Sequence, residues 1–212
     1  PIDVNLQMNN DEHSTDKYRN FLNWLFATFN TQEDDFRADL VRRVNLSEGM
    51  KVLVVGCGLG EDIPLILKAI GPRGELHAQD ISKSMIRNAS DVLKSENVCF
   101  SISNATQLPY QSRYFDVVFH FGGINLFGDM KKAIAELERV CKVGGQVMFG
   151  DEGIAPHLRG TQFADVLINN NGLWALHAPV ESLPHNAEDI VVSYVLGNCF
   201  YLISFSPAEG LP

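Results

Sequence analysis

Apolar positions along the chain switch between two spacings, and the switches mark out the elements. Tyr18, Phe21, Leu22, Leu25, Phe26 and Phe29 recur at helical intervals behind Ser14 in the N-cap position. Thr31 with Asp34 has the form of a capping box for a second helix, with Phe36, Leu40, Val41 and Val44 inward. After a loop over 45–49, Val52 to Val55 is a continuous aliphatic run, the pattern of a parallel strand buried on both faces. Gly56, Gly58 and Gly60 end it, Glu61, Asp62 and Pro64 suit a first helical turn, and Leu65, Ile66, Ala69 and Ile70 carry the helix to Gly71. A second strand runs from Glu75 to Gln79 and ends at Asp80; Ser82 caps a helix with Met85, Ile86, Ala89, Val92 and Leu93.

Residues 97–103 alternate as a third strand, and Tyr114 to Phe121 form a fourth. Asp129 opens a helix with Met130, Ala133, Ile134, Leu137 and Val140 inward, stopped by Lys142-Val143-Gly144-Gly145. Gln146 to Gly150 is the fifth strand, with Asp151 and Glu152 at its tip. Pro156 to Trp174 reads as one helix, 175–188 as turn-rich, and Asp189 to Leu196 with Cys199 to Phe205 as a hairpin around Gly197-Asn198. The class is α/β.

The glycine stretch carries the chemistry. Three glycines at alternate positions permit a tight turn and let backbone approach a ligand that a Cβ would hold off. Asp80, at the tip of the next strand, is placed to accept hydrogen bonds from the two hydroxyls of a ribose. The spacing G-x-G-x-G differs from the dinucleotide pattern, and Glu61 and Asp62 stand where a pyrophosphate would want positive charge. A cationic, phosphate-free nucleoside suits these residues better than a diphosphate.

Composition narrows the classes. At 212 residues, 45% hydrophobic and 20% charged, the chain suits one domain with a substantial core. A formal net charge of -9 argues against a nucleic-acid backbone as partner. Pro1 is not a natural start; the stretch 1–16 is polar without a secretory pattern, and no apolar run is long enough to span a membrane. Cys57, Cys99, Cys141 and Cys199 are widely spaced, as in reduced cytoplasmic proteins, and neither they nor the histidines have metal-site spacing.

The segments VLVVGCGLGEDIP, HAQDISKSMI and NATQLPYQSRYFDVVFHFGGINLFGDMKKAIAELERVCKVGGQVMFGDE resemble a class I S-adenosylmethionine-dependent methyltransferase, most closely the ubiquinone/menaquinone-biosynthesis type, over roughly Val52 to Glu152. The resemblance implies a Rossmann-like fold: a seven-stranded, mostly parallel sheet with helices on both faces and a C-terminal antiparallel hairpin. It implies an N-terminal helical lid over 1–45 and a cofactor domain over 46–212, within one structural unit. The implied cofactor is S-adenosylmethionine, with S-adenosylhomocysteine as product. Its contacts would be Gly56, Cys57, Gly58 and Gly60 in the turn, Asp80 on the ribose, Ile81 and Met85 on the adenine, and the run Asn104, Ala105 and Thr106. His120, Phe121 and Gly122 would lie beside the methyl, with Tyr18 from the lid. Family members usually have Asp where this chain has Asn104, whose carbonyl can still accept from the adenine amino group.

Methyl transfer from a sulfonium is an in-line displacement; the protein aligns nucleophile and methyl and keeps the site dry. A base is needed only when the acceptor must lose a proton. His120 is the first candidate, with burial in the sheet as the other reading, and Asp151 is the second, with capping or orientation as its alternative. Glu152 and His157 follow; Asn125, Trp174, His177 and His185 can shape the acceptor pocket. The leading reading is a methyltransferase acting on a small-molecule acceptor. An NAD(P)-dependent oxidoreductase on the same sheet lacks support from a Tyr-x-x-x-Lys pair, and a cofactor-binding module without catalysis stays open. Amino-methylating and cytosine-C5 nucleic-acid motifs are both missing. The acceptor, the methylated atom and the oligomeric state are left open.

Overall fold

A computed structural model describes residues 12–93 and 97–209, with the side chains before Asn20 and those of 94–96 and 210–212 outside that description. Seven strands form one sheet: β1 (Lys51–Val55), β2 (Glu75–Asp80), β3 (Val98–Ile102), β4 (Phe115–Phe121), β5 (Cys141–Glu152), β6 (Ala187–Val195) and β7 (Phe200–Pro207). Their order is β3-β2-β1-β4-β5-β7-β6. The first five run parallel, and β7 lies antiparallel between β5 and β6. This is the seven-stranded sheet with a closing hairpin anticipated above.

The helices are α1 (Glu12–Thr28), α2 (Glu33–Arg42), α3 (Ile63–Ile70), α4 (Lys83–Val92), α5 (Met130–Val140) and α6 (Gln162–Asn170). The continuous apolar run of β1 has its cause in the two faces. Val52 and Val54 join a core with Leu25, Phe26, Phe36, Leu40, Ile63 and Leu167, while Leu53 and Val55 join a second core with Ala133, Ile134 and Leu137 of α5. Helices α1 and α2 therefore belong to the main core.

Several local expectations are corrected. Ser14 lies inside α1, which is already helical at Glu12. Gln32, not Thr31, is the N-cap of α2 and makes no side-chain bond; the acids Glu33, Asp34 and Asp35 complement the helix dipole instead. Glu61 and Asp62 precede α3 rather than occupying its first turn. Lys142 to Gly145 belong to β5, because the chain turns straight from α5 into the strand and Phe115 pairs with Cys141 before Val117 pairs with Gln146. Val92 is exposed at 78%, off the buried face of α4. The span 156–174 is not one helix. Gly160 adopts φ +79°, and the Thr161 hydroxyl accepts from Ala164 N at 3.2 Å, so α6 starts afresh between two short 3-10 turns, Pro156–Leu158 and Gly172–Ala175.

The hairpin turn holds Leu196, Gly197 and Asn198 at positive φ (44°, 62° and 65°). A Cβ on Gly197 would fall 1.9 Å from Phe29 Cζ, so the end of α1 is seated on this turn. Gly197→Ala is therefore expected to cost about 1–3 kcal/mol, read as a lower urea midpoint with unchanged m-value. An unchanged midpoint would contradict the contact.

No helix among the described residues is long and apolar enough to cross a membrane.

Candidate functional site

The carboxyl ends of β1, β2, β4 and β5 meet at one edge of the sheet, where crevices form in open α/β folds. At the end of β1, Gly56 and Gly60 have φ of 62° and 87°. A Cβ on Gly56 would press on the His120 ring at 3.1 Å, and one on Gly60 would meet Leu93 Cδ1 at 2.6 Å. Both positions require glycine.

Four N–H groups of this turn are already engaged. Gly56 N donates to Gln79 Oε1 (3.3 Å), Cys57 N to Gln79 O (2.8 Å), Gly58 N to Asp80 Oδ2 (3.0 Å) and Gly60 N to Cys57 O (2.9 Å). A pyrophosphate needs open amides and finds four of them engaged. Asp80 is held from both sides, its Oδ1 accepting from Ser82 N at 2.8 Å. Each carboxylate oxygen keeps a second acceptor site. The arrangement fits a ribose diol without a neighbouring phosphate.

Gln79 was not singled out in the sequence. It is 1% exposed, and its Nε2 donates to Ser103 O, so one side chain ties together the ends of β1, β2 and β3. Its one signal was its place directly before Asp80, since the strand Glu75–Asp80 is itself mostly polar and does not set Gln79 apart.

Ile81 and Met85 lie half-buried next to Asp80, and Ala105 is buried. Asn104 is turned into its own loop, where Oδ1 accepts from Thr106 N (2.9 Å) and Thr106 Oγ1 (3.0 Å). The carbonyl expected to receive an adenine amino group is thus engaged twice. The side chain of Tyr18 lies outside the described residues.

At the end of β4, neighbouring residues face opposite cores. His120 is 1% exposed; its Nδ1 donates to Val55 O at 2.7 Å, its Nε2 has no partner among the described residues, and its ring lies 5.2 Å from Phe127. Burial drops its pKa to about 4, so it is neutral at pH 7. Phe121 points the other way, 5.4 Å from Phe36 and 5.5 Å from Phe200. Phe200 also meets Trp174 at 4.8 Å, and Trp174 meets Phe21 of α1 at 6.1 Å. Five aromatic rings thus pack in a continuous cluster that joins α1 and α2 to the ends of β4 and β7.

Asp151 is fully buried beside the Gly122–Asn125 turn. Its Oδ2 accepts from Asn125 N at 2.7 Å, its Oδ1 from Glu152 N at 3.0 Å, and Gly123 N also donates to it. Desolvation, reinforced by Glu152, holds its pKa well above the usual carboxylate range. Tyr201 was missed for want of any signal in an apolar strand; its hydroxyl donates to Asn125 Oδ1 at 2.8 Å, while Asn125 Nδ2 donates to Glu152 O at 2.8 Å. His157, His177 and His185 are exposed and apart from this cluster. Among the described residues no group of three His, Cys, Asp or Glu is placed to hold a metal.

Arg37 was also missed. From α2 it grips both oxygens of Asp62 (3.1 and 3.2 Å), directly behind the glycine turn. Burial opposes its charge, and Asp62 and Glu33 more than offset this, so its pKa is raised.

Comparison with known proteins agrees with this geometry. The family model described as a methyltransferase domain matches residues 46–189. The ubiquinone/menaquinone biosynthesis C-methyltransferase of Burkholderia vietnamiensis is 36% identical over 115 residues, 53% of this chain and 47% of that protein, and the Burkholderia thailandensis protein gives the same figures. The chain spans about half the length of these curated relatives. Among solved structures, a SAM-dependent methyltransferase from Aquifex aeolicus has a TM-score of 0.58 at 20% identity, covering 80% of this chain and 88% of its own. A phosphoethanolamine N-methyltransferase 2 from Haemonchus contortus, in complex with S-adenosyl-L-methionine, has a TM-score of 0.68 at 14% identity, covering 88% of this chain and 56% of its own. With a matching family model over most of its length, this sheet order and a glycine turn backed by Asp80, the chain belongs to the methyltransferase domain family, of the class I, S-adenosylmethionine-dependent type.

Proposed function

We propose that this chain methylates a small, oxygen-bearing aromatic acceptor at carbon, using S-adenosylmethionine. The observation that carries the cofactor half is the pairing of Asp80, fixed by Gly58 N and Ser82 N, with a turn in which the amides of Gly56, Cys57, Gly58 and Gly60 are internally spent. Bound there, S-adenosylmethionine supplies an electrophilic methyl on a positively charged sulfur. Asp80 would accept from the ribose hydroxyls, the Gly56–Gly60 turn would bear on the amino-acid end, and Ile81, Met85 and Ala105 would flank the base. The same spent amides speak against NAD. The acceptor half rests on the ubiquinone/menaquinone biosynthesis C-methyltransferases among the relatives and on the aromatic cluster of Phe36, Phe121, Phe200 and Trp174 packed beside the end of β4.

Residues 1–45 would act as a lid over the strand tips, and 46–212 would hold the cofactor. His120 works through the turn rather than on the acceptor, because its ring is sealed between Gly56 and Phe127. Asp151 is a positioning residue: it gathers three backbone N–H groups and so fixes the Gly122–Asn125 turn, which would lie beside the reacting methyl. Orientation and exclusion of water supply the catalysis.

The test is calorimetric titration with S-adenosylmethionine, S-adenosylhomocysteine and NAD. Micromolar binding of the first two and none of the third is expected. Asp80→Ala should weaken S-adenosylmethionine binding by about 1.5–3 kcal/mol, the range for hydrogen bonds to a charged group. Wild-type affinity in that variant, or binding of NAD alone, would overturn the reading.

A further inference from the structure

Arg37, midway along α2, commits its guanidinium to two acids. Nη1 donates to both oxygens of Asp62, at 3.1 and 3.2 Å, while Nε and Nη2 hold Glu33 Oε1, one helical turn back, at 2.9 and 2.7 Å. The Arg37 and Asp62 side chains are only 22% and 12% exposed. Asp62 gives up a bond for this contact. It occupies the N-cap of α3, where an aspartate ordinarily accepts from the first amides of the helix, yet it makes no capping bond. Its carboxylate is turned to Arg37 instead, and burial holds its pKa above the usual value in spite of that charge. A pair taken out of water in this way adds little to stability, because desolvation offsets the attraction. What it fixes is geometry, and the geometry fixed here is that of the glycine turn. Ile63 N donates to Gly60 O (3.1 Å) and Gly60 N to Cys57 O (2.9 Å), so Asp62 is tied in series to the turn. On the other side, Phe36, Leu40 and Val41 seat α2 in the main core.

We propose that Arg37 is a positioning residue for the cofactor: acting through Asp62, it makes the affinity of the Gly56–Gly60 turn for S-adenosylmethionine depend on α2 being in place. The inference rests on the methyltransferase reading given above and adds a residue that works from outside the turn. With α2 seated, Asp62 is drawn toward Arg37 and the turn keeps the shape in which Gly58 N reaches Asp80. With the link cut, α2 and the turn move independently, and the turn has to be ordered by the ligand alone. Coupling between two parts is reciprocal, so a molecule held by the turn also holds α2.

The test measures S-adenosylhomocysteine affinity by calorimetry and stability by urea unfolding, on the full chain, for wild type, Arg37→Met and the double variant Arg37→Met with Asp62→Asn. Arg37→Met leaves Asp62 buried without its cation and should lower both quantities. Adding Asp62→Asn removes the stranded charge, so the urea midpoint should rise again. The affinity should nevertheless stay at least about 5-fold below wild type, the lower end of ordinary coupling between two sites. A purely structural role would bring affinity back together with stability. Hydrogen exchange gives the second readout: saturating S-adenosylhomocysteine should slow the amides of 36–42 in wild type and leave them unchanged in the double variant. Affinity that returns with stability in the double variant would overturn the inference. So would slowing of these amides that is absent from wild type or kept in the double variant. Absence of S-adenosylhomocysteine binding to wild type would instead overturn the methyltransferase reading. Should the double variant fail to fold, the exchange of wild-type α2 decides alone.

Discussion

Phe200→Ala is expected to lower the unfolding free energy by about 3–5 kcal/mol, the usual cost of deleting a buried phenylalanine. Phe200 is 3% exposed and stands where four parts of the molecule meet: Phe36 of α2 at 5.9 Å, Phe121 of β4 at 5.5 Å, Trp174 at 4.8 Å and the strand ladders to Glu152 and Val195. No neighbour can collapse into the gap without giving up a contact of its own, which puts the cost toward the upper end. Against a total stability of about 5–15 kcal/mol for a domain, the loss is large. Urea unfolding followed by circular dichroism measures it, and Phe200→Leu, which keeps most of the volume, should recover more than half. A loss under about 1 kcal/mol for the alanine variant would mean that the ring is not packed as described.

The second expectation concerns acid. His120 is buried neutral with a pKa of about 4, against about 6.5 for an unfolded histidine. Between those values the unfolded chain binds the extra proton. The stability held by keeping His120 neutral is therefore complete above pH 6.5 and is lost as the pH falls toward 4. The loss is on the order of 2 kcal/mol between pH 7.5 and pH 5 and about 3 kcal/mol in full. Asp151 acts with the opposite sign: its raised pKa makes the folded state hold a proton that the unfolded state gives up as the pH rises. The difference between wild type and His120→Phe isolates the histidine. Urea midpoints at pH 7.5 and pH 5 should fall less in the variant by that amount, and parallel falls would count against a neutral buried imidazole.

The sheet was readable because buried parallel strands leave continuous apolar runs, as at Val52 to Val55, and because glycines and Asp80 punctuate them. Local signals misled where tertiary contacts took over. Asp62 suggested a first helical turn, yet its carboxylate is taken by Arg37, 25 residues away in the chain. Lys142 to Gly145 suggested a stop, yet the run enters β5, where a Cβ on Gly145 would meet Asp116 O at 2.6 Å. Gln79, Arg37 and Tyr201 act through partners distant in sequence, and no spacing rule announces them. His120 was visible as a residue near the strand end, but which face it took depended on the register of β4 against β1 and β5.

The membership of Leu25, Phe26, Phe36 and Leu40 in the same core as Val52 and Val54 has a bearing on how fast molecules come and go. A flap resting on a rim can swing while the rest of the fold stays intact. Helices α1 and α2, proposed above as a lid, share ring and aliphatic contacts with the core beneath β1, so lifting them would break part of that core. Entry and exit by that route are then local unfolding events, with a free-energy cost set by packing rather than by hinge geometry. In such a molecule, substitutions that loosen α1 or α2 trade stability for turnover.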